Sequence, residues 1–240
     1  MTDYPLSASP GQYREEIFRA YLFGPFRVFR GDHPLGAATK RRTKSLQLLK
    51  IFLLSGGRPL AMDELIEHCF PDVHQDKAVS NFHVAMHSLR RMLEPDLSPR
   101  ASSSFLHRSN ATFYRLETNG TWWTDAGEVD RLFQLARLND ERENAGLATF
   151  YYSRVAAYCV RPFLEGDAPA DWLDVDRRRY TAMNIEALTR LIELHISSNE
   201  PSEAYEYSHQ LVRVDPRNAI ARATLELERR TGAPDGRRVA

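Results

Sequence analysis

Lys77 to Leu93 reads KAVSNFHVAMHSLRRML, and how this stretch folds decides how the rest of the chain is read. Wound as a helix, it places Val79, Phe82, Met86, Leu89 and Leu93 on one stripe at alternating spacings of three and four, with Ala78, Ala85 and Met92 on the shoulders. Such a stripe faces a core. The opposite side carries Lys77, Ser80, Val84, His87 and Arg91, flanked by Asn81 and Ser88 on one edge and by His83 and Arg90 on the other, and no carboxylate follows until Glu94. A solvated helix face usually mixes signs, so a basic, hydroxyl-bearing face points to an anionic partner. Arginine, serine and asparagine side chains hydrogen-bond to phosphates and base edges, and an exposed valine packs against a thymine methyl. This is the chemistry of a major-groove reader. The alternative is an ordinary amphipathic helix whose polar face meets only water, and what surrounds the helix decides between the two.

The chain has 240 residues, enough for two compact domains or one large one, with apolar and charged fractions of 42% and 27% that suit a soluble globular protein. No apolar run is long enough to cross a bilayer, and Met1 to Arg14 has neither a basic start nor an apolar signal core, so a cytoplasmic protein with no membrane partner is expected. Cys69 and Cys159 lie far apart and read as reduced, partly buried thiols. The net charge of zero conceals an asymmetry. Residues 1–117 hold 16 Lys+Arg against 12 Asp+Glu, a surplus of +4, with six of the eight histidines; residues 118–240 hold 16 against 20, a balance of −4. All four lysines, Lys40, Lys44, Lys50 and Lys77, fall in the first part. The basic half is the candidate for nucleic acid, which the acidic half repels.

Residues 1–19 are polar, with Pro5, Pro10 and Gly11, and read as a loose tail. Ala20 to Leu35 alternates apolar and polar residues, predicting a strand, a break at Gly24-Pro25 and a hairpin turning at Gly31-Asp32. Lys40 to Leu54, KRRTKSLQLLKIFLL, opens with Lys40, Arg41, Arg42 and Lys44 and becomes strongly apolar, which predicts a core helix whose basic start suits phosphate. Gly56-Gly57 stops it, and Pro59 begins a short extended link. A second short helix is predicted over Ala61 to Phe70, with Asp63 and Glu64 where the helix dipole favours them. After Lys77 to Leu93, the run FLHRSNATFYRL from Phe105 to Leu116 predicts two strands around a turn at Ser109-Asn110-Ala111. Small sheet, helix, helix, long helix and hairpin is the plan of a winged helix-turn-helix, whose last helix enters the major groove while its wing reaches a minor groove or backbone. Arg108 stands at the wing's rise, where a cation meets the negative minor groove.

The segments LFGPFRVFRGDHPL, RPLAMDELIEHCFPD, VSNFHVAMHSLRRMLEPD and TFYRL, taken in order, resemble the OmpR-type winged helix as it occurs in the actinomycete antibiotic regulatory proteins, the SARP family. Those regulators join it to an all-helical bacterial transcriptional activation domain of tetratricopeptide-like helix pairs. The second half is similar to that domain. Trp123, Asp125, Val129 and Phe133 match its first helix; Pro162, Phe163, Leu164, Gly166, Trp172 and Arg177 match its connecting segment and next helix; Ala187, Leu188, Leu191, Ala204, Leu211, Asp215 and Pro216 match a helical repeat pair. The likeness covers about residues 20–230. It departs at Arg161, where the family usually has glycine, and in a last repeat expected to be short and incomplete. No receiver domain and no phosphate-cradling glycine loop is seen.

The residues alone support an interaction module there. Ile185, Leu188, Leu191, Ile192 and Leu194 fall at helical spacing, Asn199-Glu200-Pro201 interrupts, and Ala204, Tyr207, Leu211 and Val214 line a second helix. Such a pair must stack on neighbours to bury its faces.

Other constellations carry less. His83 and His87 sit four apart, with Cys69 or His74 as further metal ligands, but Val84, Ala85 and Met86 between them leave out the glutamate of a zinc-protease helix. Asp171, Asp174, Asp176 and Arg177 to Arg179 suit a solvated helix start. Trp122 and Trp123 have rings able to stack on bases, but they better suit a domain junction. No nucleophile has a base beside it, so no catalytic residue, metal or cofactor is expected.

The expected architecture is mainly α: a tail over 1–19, an α+β winged helix over 20–118, a linker over 119–124 and TPR-like helices over 125–240. The expected function is sequence-specific transcription activation. Lys77, Ser80, Asn81, Val84, His87 and Ser88 read bases, Lys40, Arg41, Arg42, Lys44, Arg90 and Arg91 meet phosphates, and Arg108 serves the wing. The resemblance implies direct-repeat promoter sites, two protomers side by side, and recruitment of RNA polymerase holoenzyme with its sigma subunit. The competing expectation is a protein-interaction adaptor whose winged helix does not bind DNA.

Overall fold

The computed structural model describes residues 17–36, 43–98, 101–110 and 112–231. They form two units, one comprising Ile17–Ala20 together with the described residues of Arg27–Thr124, the other Tyr21–Phe26 together with Asp125–Thr231.

The first unit opens with three strands, β1 (Phe18–Tyr21), β2 (Arg27–Arg30) and β3 (His33–Leu35). β2 and β3 are antiparallel, with Val28 opposite Leu35 and Arg30 opposite His33, so the hairpin turns at Gly31-Asp32 as predicted. α1 (Thr43–Leu54) follows and buries Leu48, Leu49, Ile51 and Phe52. Gly56 and Gly57, at φ +61° and +83°, end it in the left-handed region that glycine enters without strain. A side chain on Gly57 would also place its Cβ 2.9 Å from Thr118 Oγ1. The extended link forms β4 (Leu60–Ala61), followed by α2 (Met62–Cys69), which carries Asp63 and Glu64 in its first turn. α3 (Gln75–Leu93) is the long helix, starting two residues earlier than its periodicity suggests. β5 (Leu106–Ser109) and β6 (Phe113–Leu116) form the predicted wing, and β4 joins them in a three-stranded sheet of order β4-β6-β5.

Residues 119–124, expected as a linker, instead contain β7 (Trp122–Thr124), which pairs in parallel with β1 and closes a four-stranded sheet of order β3-β2-β1-β7. Its cause is aromatic and β-branched composition together with burial: Trp122 stacks on the Phe18 ring at 4.5 Å, and Phe105 meets the same ring edge-on at 4.9 Å.

The second unit is helical: α4 (Asp125–Glu141), α5 (Ala145–Tyr158), α6 (Asp171–Ser197), α7 (Pro201–Val214) and α8 (Ala219–Thr231), each packed on the next. Sequential packing is how helix pairs bury faces they cannot bury alone. α6 runs 27 residues without a break because neither glycine nor proline interrupts it. Its Arg177 does more than solvate a helix start. The guanidinium donates to the carbonyls of Phe163, Leu164 and Asp167 at 3.3, 3.0 and 2.9 Å and holds the segment between α5 and α6 in place.

Tyr21–Phe26, expected as part of the winged helix, belongs to this helical unit. Asp125, 2% exposed at the start of α4, accepts hydrogen bonds from the backbone N–H of Leu22 (2.7 Å), Phe23 (3.0 Å) and its neighbour Ala126 (2.8 Å). The amides of Gly24, Leu164 and Glu165 bond to the carbonyls of Pro162, Leu22 and Gly24, and the Phe23 ring packs edge-on against Phe163 and Tyr180. Gly24 lies at φ +86° with the Arg161 side chain 3.1 Å from where its Cβ would stand, so the larger residue at 161 rests on a position without a side chain. The chain thus passes between the units at 20/21, 26/27 and 124/125. No helix among the described residues is long and apolar enough to cross a membrane.

Candidate nucleic-acid interface

α3 is anchored on its apolar side at several points. Phe82, Leu89 and Leu93 are fully buried, Met86 is 4% exposed, and the Ser45 hydroxyl of α1 donates to the Ala85 carbonyl at 3.0 Å. The Phe82 ring meets Tyr114 of β6 edge-on at 5.2 Å, which couples the helix to the wing. At the C-terminus of α3, Arg30 donates to the Leu93 carbonyl at 3.1 Å, and the Glu94 carboxylate accepts from the Ser103 hydroxyl and from the Ser104 N–H. Ser103 in turn accepts from the amides of Phe105 and Leu106, so the C-terminal end of α3 and the base of the wing share one network. A helix held this way presents its far face in a fixed orientation, which a specific reader requires.

That far face is solvent-facing along its length. Lys77, Ser80, Val84, His87 and Arg91 are exposed, with Val84 at 67%, while Asn81 and Ser88 are half-buried at the edge. All six residues expected to read bases therefore share one side of α3. A large aliphatic side chain left two-thirds exposed amid hydroxyls and cations has no role in the core. The earlier helix start adds Asp76, exposed in the first turn, as the helix's one carboxylate.

The residues expected to meet phosphate are spread more widely. Lys40, Arg41 and Arg42 lie outside the described residues. Lys44 is engaged within the protein: its ammonium donates to the Cys69 carbonyl at the end of α2 and to Gln47, and lies 5.3 Å from the centre of the Phe70 ring. Arg91 is exposed, within 3.4 Å of the Leu97 carbonyl. Arg90 is half-buried, and its Nε is shielded from solvent with no hydrogen-bond partner among the described residues.

Arg108 is exposed on β5, with its guanidinium 5.6 Å from the centre of the Tyr114 ring. Together with His83, Met86, His87, Arg90 and Tyr114 it lines a cleft of about 140 Å³ between α3 and the wing. The sequence reading overlooked Tyr114 and Phe113. Strand alternation puts the Tyr114 ring inward as a floor and leaves Phe113, 41% exposed, near the wing turn, where Asn110 adopts φ +52°.

Among the described residues no group of three or more His, Cys, Asp or Glu side chains is arranged to hold a metal ion, and His83 and His87 face the cleft with arginines. Both cysteines are free and buried, and burial pushes each thiol up to about 12.

No protein family model matches the sequence, and no curated protein sequence matches it. Among solved structures, the chain is similar to Mycobacterium tuberculosis EmbR, determined in complex with a low affinity phosphopeptide: the TM-score is 0.53 at 16% identity over 92% of this chain and 67% of that one. At this identity the likeness concerns the fold alone, a winged helix with its small sheets followed by a helical unit.

Proposed function

We propose that this chain is a sequence-specific DNA-binding transcriptional regulator of the SARP type, with α3 as its reading helix and the α4 to α8 unit as its protein-recruiting surface. One observation carries the reading: the solvent face of α3 is free of carboxylates beyond its first turn and sets an exposed Val84 between Lys77, Ser80, His87 and Arg91, on a helix locked from behind by α1 and the wing. Val84 and Asn81 then contact base edges together with Lys77, Ser80, His87 and Ser88, while Arg90 and Arg91 meet the backbone. In this reading two protomers occupy direct repeats side by side, and the helical unit recruits RNA polymerase holoenzyme through its sigma subunit.

Mobility shifts on promoter fragments across a salt series test the first half. Neutralising about four to six phosphates per protomer gives a slope of log affinity against log salt of about −4 to −5. Val84→Ala and Asn81→Ala are expected to weaken the best site by about 1 to 3 kcal/mol and leave scrambled DNA unaffected, whereas Arg91→Ala weakens both and flattens the slope. A flat salt response removes the DNA reading. Equal losses on both DNAs remove α3 as its reader.

A further inference from the structure

The geometry points to a single phosphate-binding site in the cleft between α3 and the wing, with Arg90 closing on the anion from the helix and Arg108 from the wing. The inference rests on the DNA-binding reading for the source of that phosphate, but its chemistry stands on the cleft alone. Six side chains line the space: His83, Met86, His87, Arg90, Arg108 and Tyr114. Four of them carry nitrogen donors, two permanently charged, and no carboxylate is among them. At about 140 Å³ the cleft holds a group of roughly four or five water-sized atoms, the size of one phosphate with its oxygens. Arg90 supplies an independent sign pointing to an anion, since its Nε is shielded from solvent and has no hydrogen-bond partner among the described residues. A buried donor without a partner is costly, so turning the Arg90 guanidinium onto an oxyanion in the cleft replaces that cost with a charge-assisted hydrogen bond. Tyr114 sets the other side, because its ring lies beneath the Arg108 guanidinium and its contact with Phe82 ties that platform to α3.

This arrangement changes how the cations divide their work. Taken one by one, His87 falls among base readers, Arg90 among phosphate contacts and Arg108 in a neighbouring minor groove. Drawn together around one cleft, they instead clasp one anion, and the wing's arginine acts with the helix. Two sources deliver the same chemistry, a phosphate of the DNA backbone or a free inorganic phosphate, and the DNA source is favoured because the cleft adjoins the reading face of α3.

The test uses the full chain with ¹³C-labelled histidine. Titration with inorganic phosphate at constant ionic strength is followed through the His83 and His87 ring signals, with His195 and His209 of the helical unit as controls. A saturable shift confined to His83 and His87, weakened at least tenfold in Arg90→Gln and in Arg108→Gln, supports the site. No saturable shift, or one that persists in both variants, overturns it. Adding promoter duplex then separates the sources. If DNA displaces phosphate, the backbone supplies the anion; if both bind together, the cleft serves a free anion and the DNA source is wrong. Failure of the duplex to bind at all, with the phosphate titration intact, removes the DNA-binding reading and leaves the site standing. Arg108 is exposed on the wing, so its variant keeps the test valid even where Arg90→Gln perturbs packing.

Discussion

Replacing Asp125 with asparagine tests the claim that Tyr21–Phe26 is a working part of the helical unit. The residue is 2% exposed, and its carboxylate receives backbone N–H groups from Leu22 and Ala126 on one oxygen and from Phe23 on the other, at 2.7, 2.8 and 3.0 Å. Asparagine keeps one acceptor. With its carbonyl toward Leu22 and Ala126, two charge-assisted bonds become neutral ones at a cost of about 1 kcal/mol each, and the amide nitrogen is turned against the Phe23 N–H, leaving a buried donor unsatisfied for about 1 to 3 kcal/mol more. The expected loss is about 3 to 5 kcal/mol, a large part of the ~5 to 15 kcal/mol that holds a domain folded. Asp130→Asn is the control, because Asp130 pairs with Arg179 at 2.7 Å but the two side chains are 39% and 45% exposed, where an ion pair contributes about 0 to 1 kcal/mol. Urea unfolding followed by circular dichroism at 222 nm reads the difference as a shift of midpoint at unchanged slope. If Asp125→Asn costs no more than Asp130→Asn, the segment is only resting on the helices and its assignment to them is wrong.

Burial raises the Asp176 carboxyl above its ordinary range despite Arg179 nearby, so the fold favours the neutral form: the associated stability is present at acid pH and lost as pH rises through the raised value. Asp176→Asn is therefore expected to melt above the parent chain at neutral pH and level with it in acid, which a thermal melt series over pH checks. Cys69 and Cys159 are expected to resist iodoacetamide at pH 8 in the native chain and to react fully in urea; fast native labelling would contradict their burial. A fragment ending at Thr118 lacks β7 and the Trp122 ring stacked on Phe18, so it should melt well below a fragment ending at Thr124; equal melting temperatures would show that β7 adds nothing to the first unit.

The long helix and the wing were legible because both signals are local. Phe82, Met86, Leu89 and Leu93 repeat at helical spacing within one window, and each ends up buried; the wing's strands flank a turn whose Asn110 tolerates a positive φ. β7 and the role of Tyr21–Phe26 were not legible for the opposite reason. Phe18 faces Trp122 across about a hundred residues of chain, and Leu22 is held by Asp125 across a similar distance. A parallel pairing carries no turn signature to mark it, unlike a hairpin. Asp125 stood out only as matching the first helix of the resembled domain, and nothing in its neighbours revealed that it also satisfies a distant backbone.

The same division runs through the candidate interface. Helical spacing sorts Lys77, Ser80, Val84, His87 and Arg91 onto one face, because the face of a helix is a property of its own sequence. It cannot say what another element brings alongside. Lys44 looked like a free cation at the start of a helix, yet the fold turns it onto the C-terminal carbonyl of α2, where a positive charge is favoured. Arg108 looked like the outpost of the wing, yet β5 and β6 set it above Tyr114 and beside Arg90. A cation's distance from its neighbours decides whether it neutralises one phosphate alone or shares one. If Arg90 and Arg108 share, removing both should flatten the salt slope by about one phosphate, near 0.9, where independent contacts would lose about twice that.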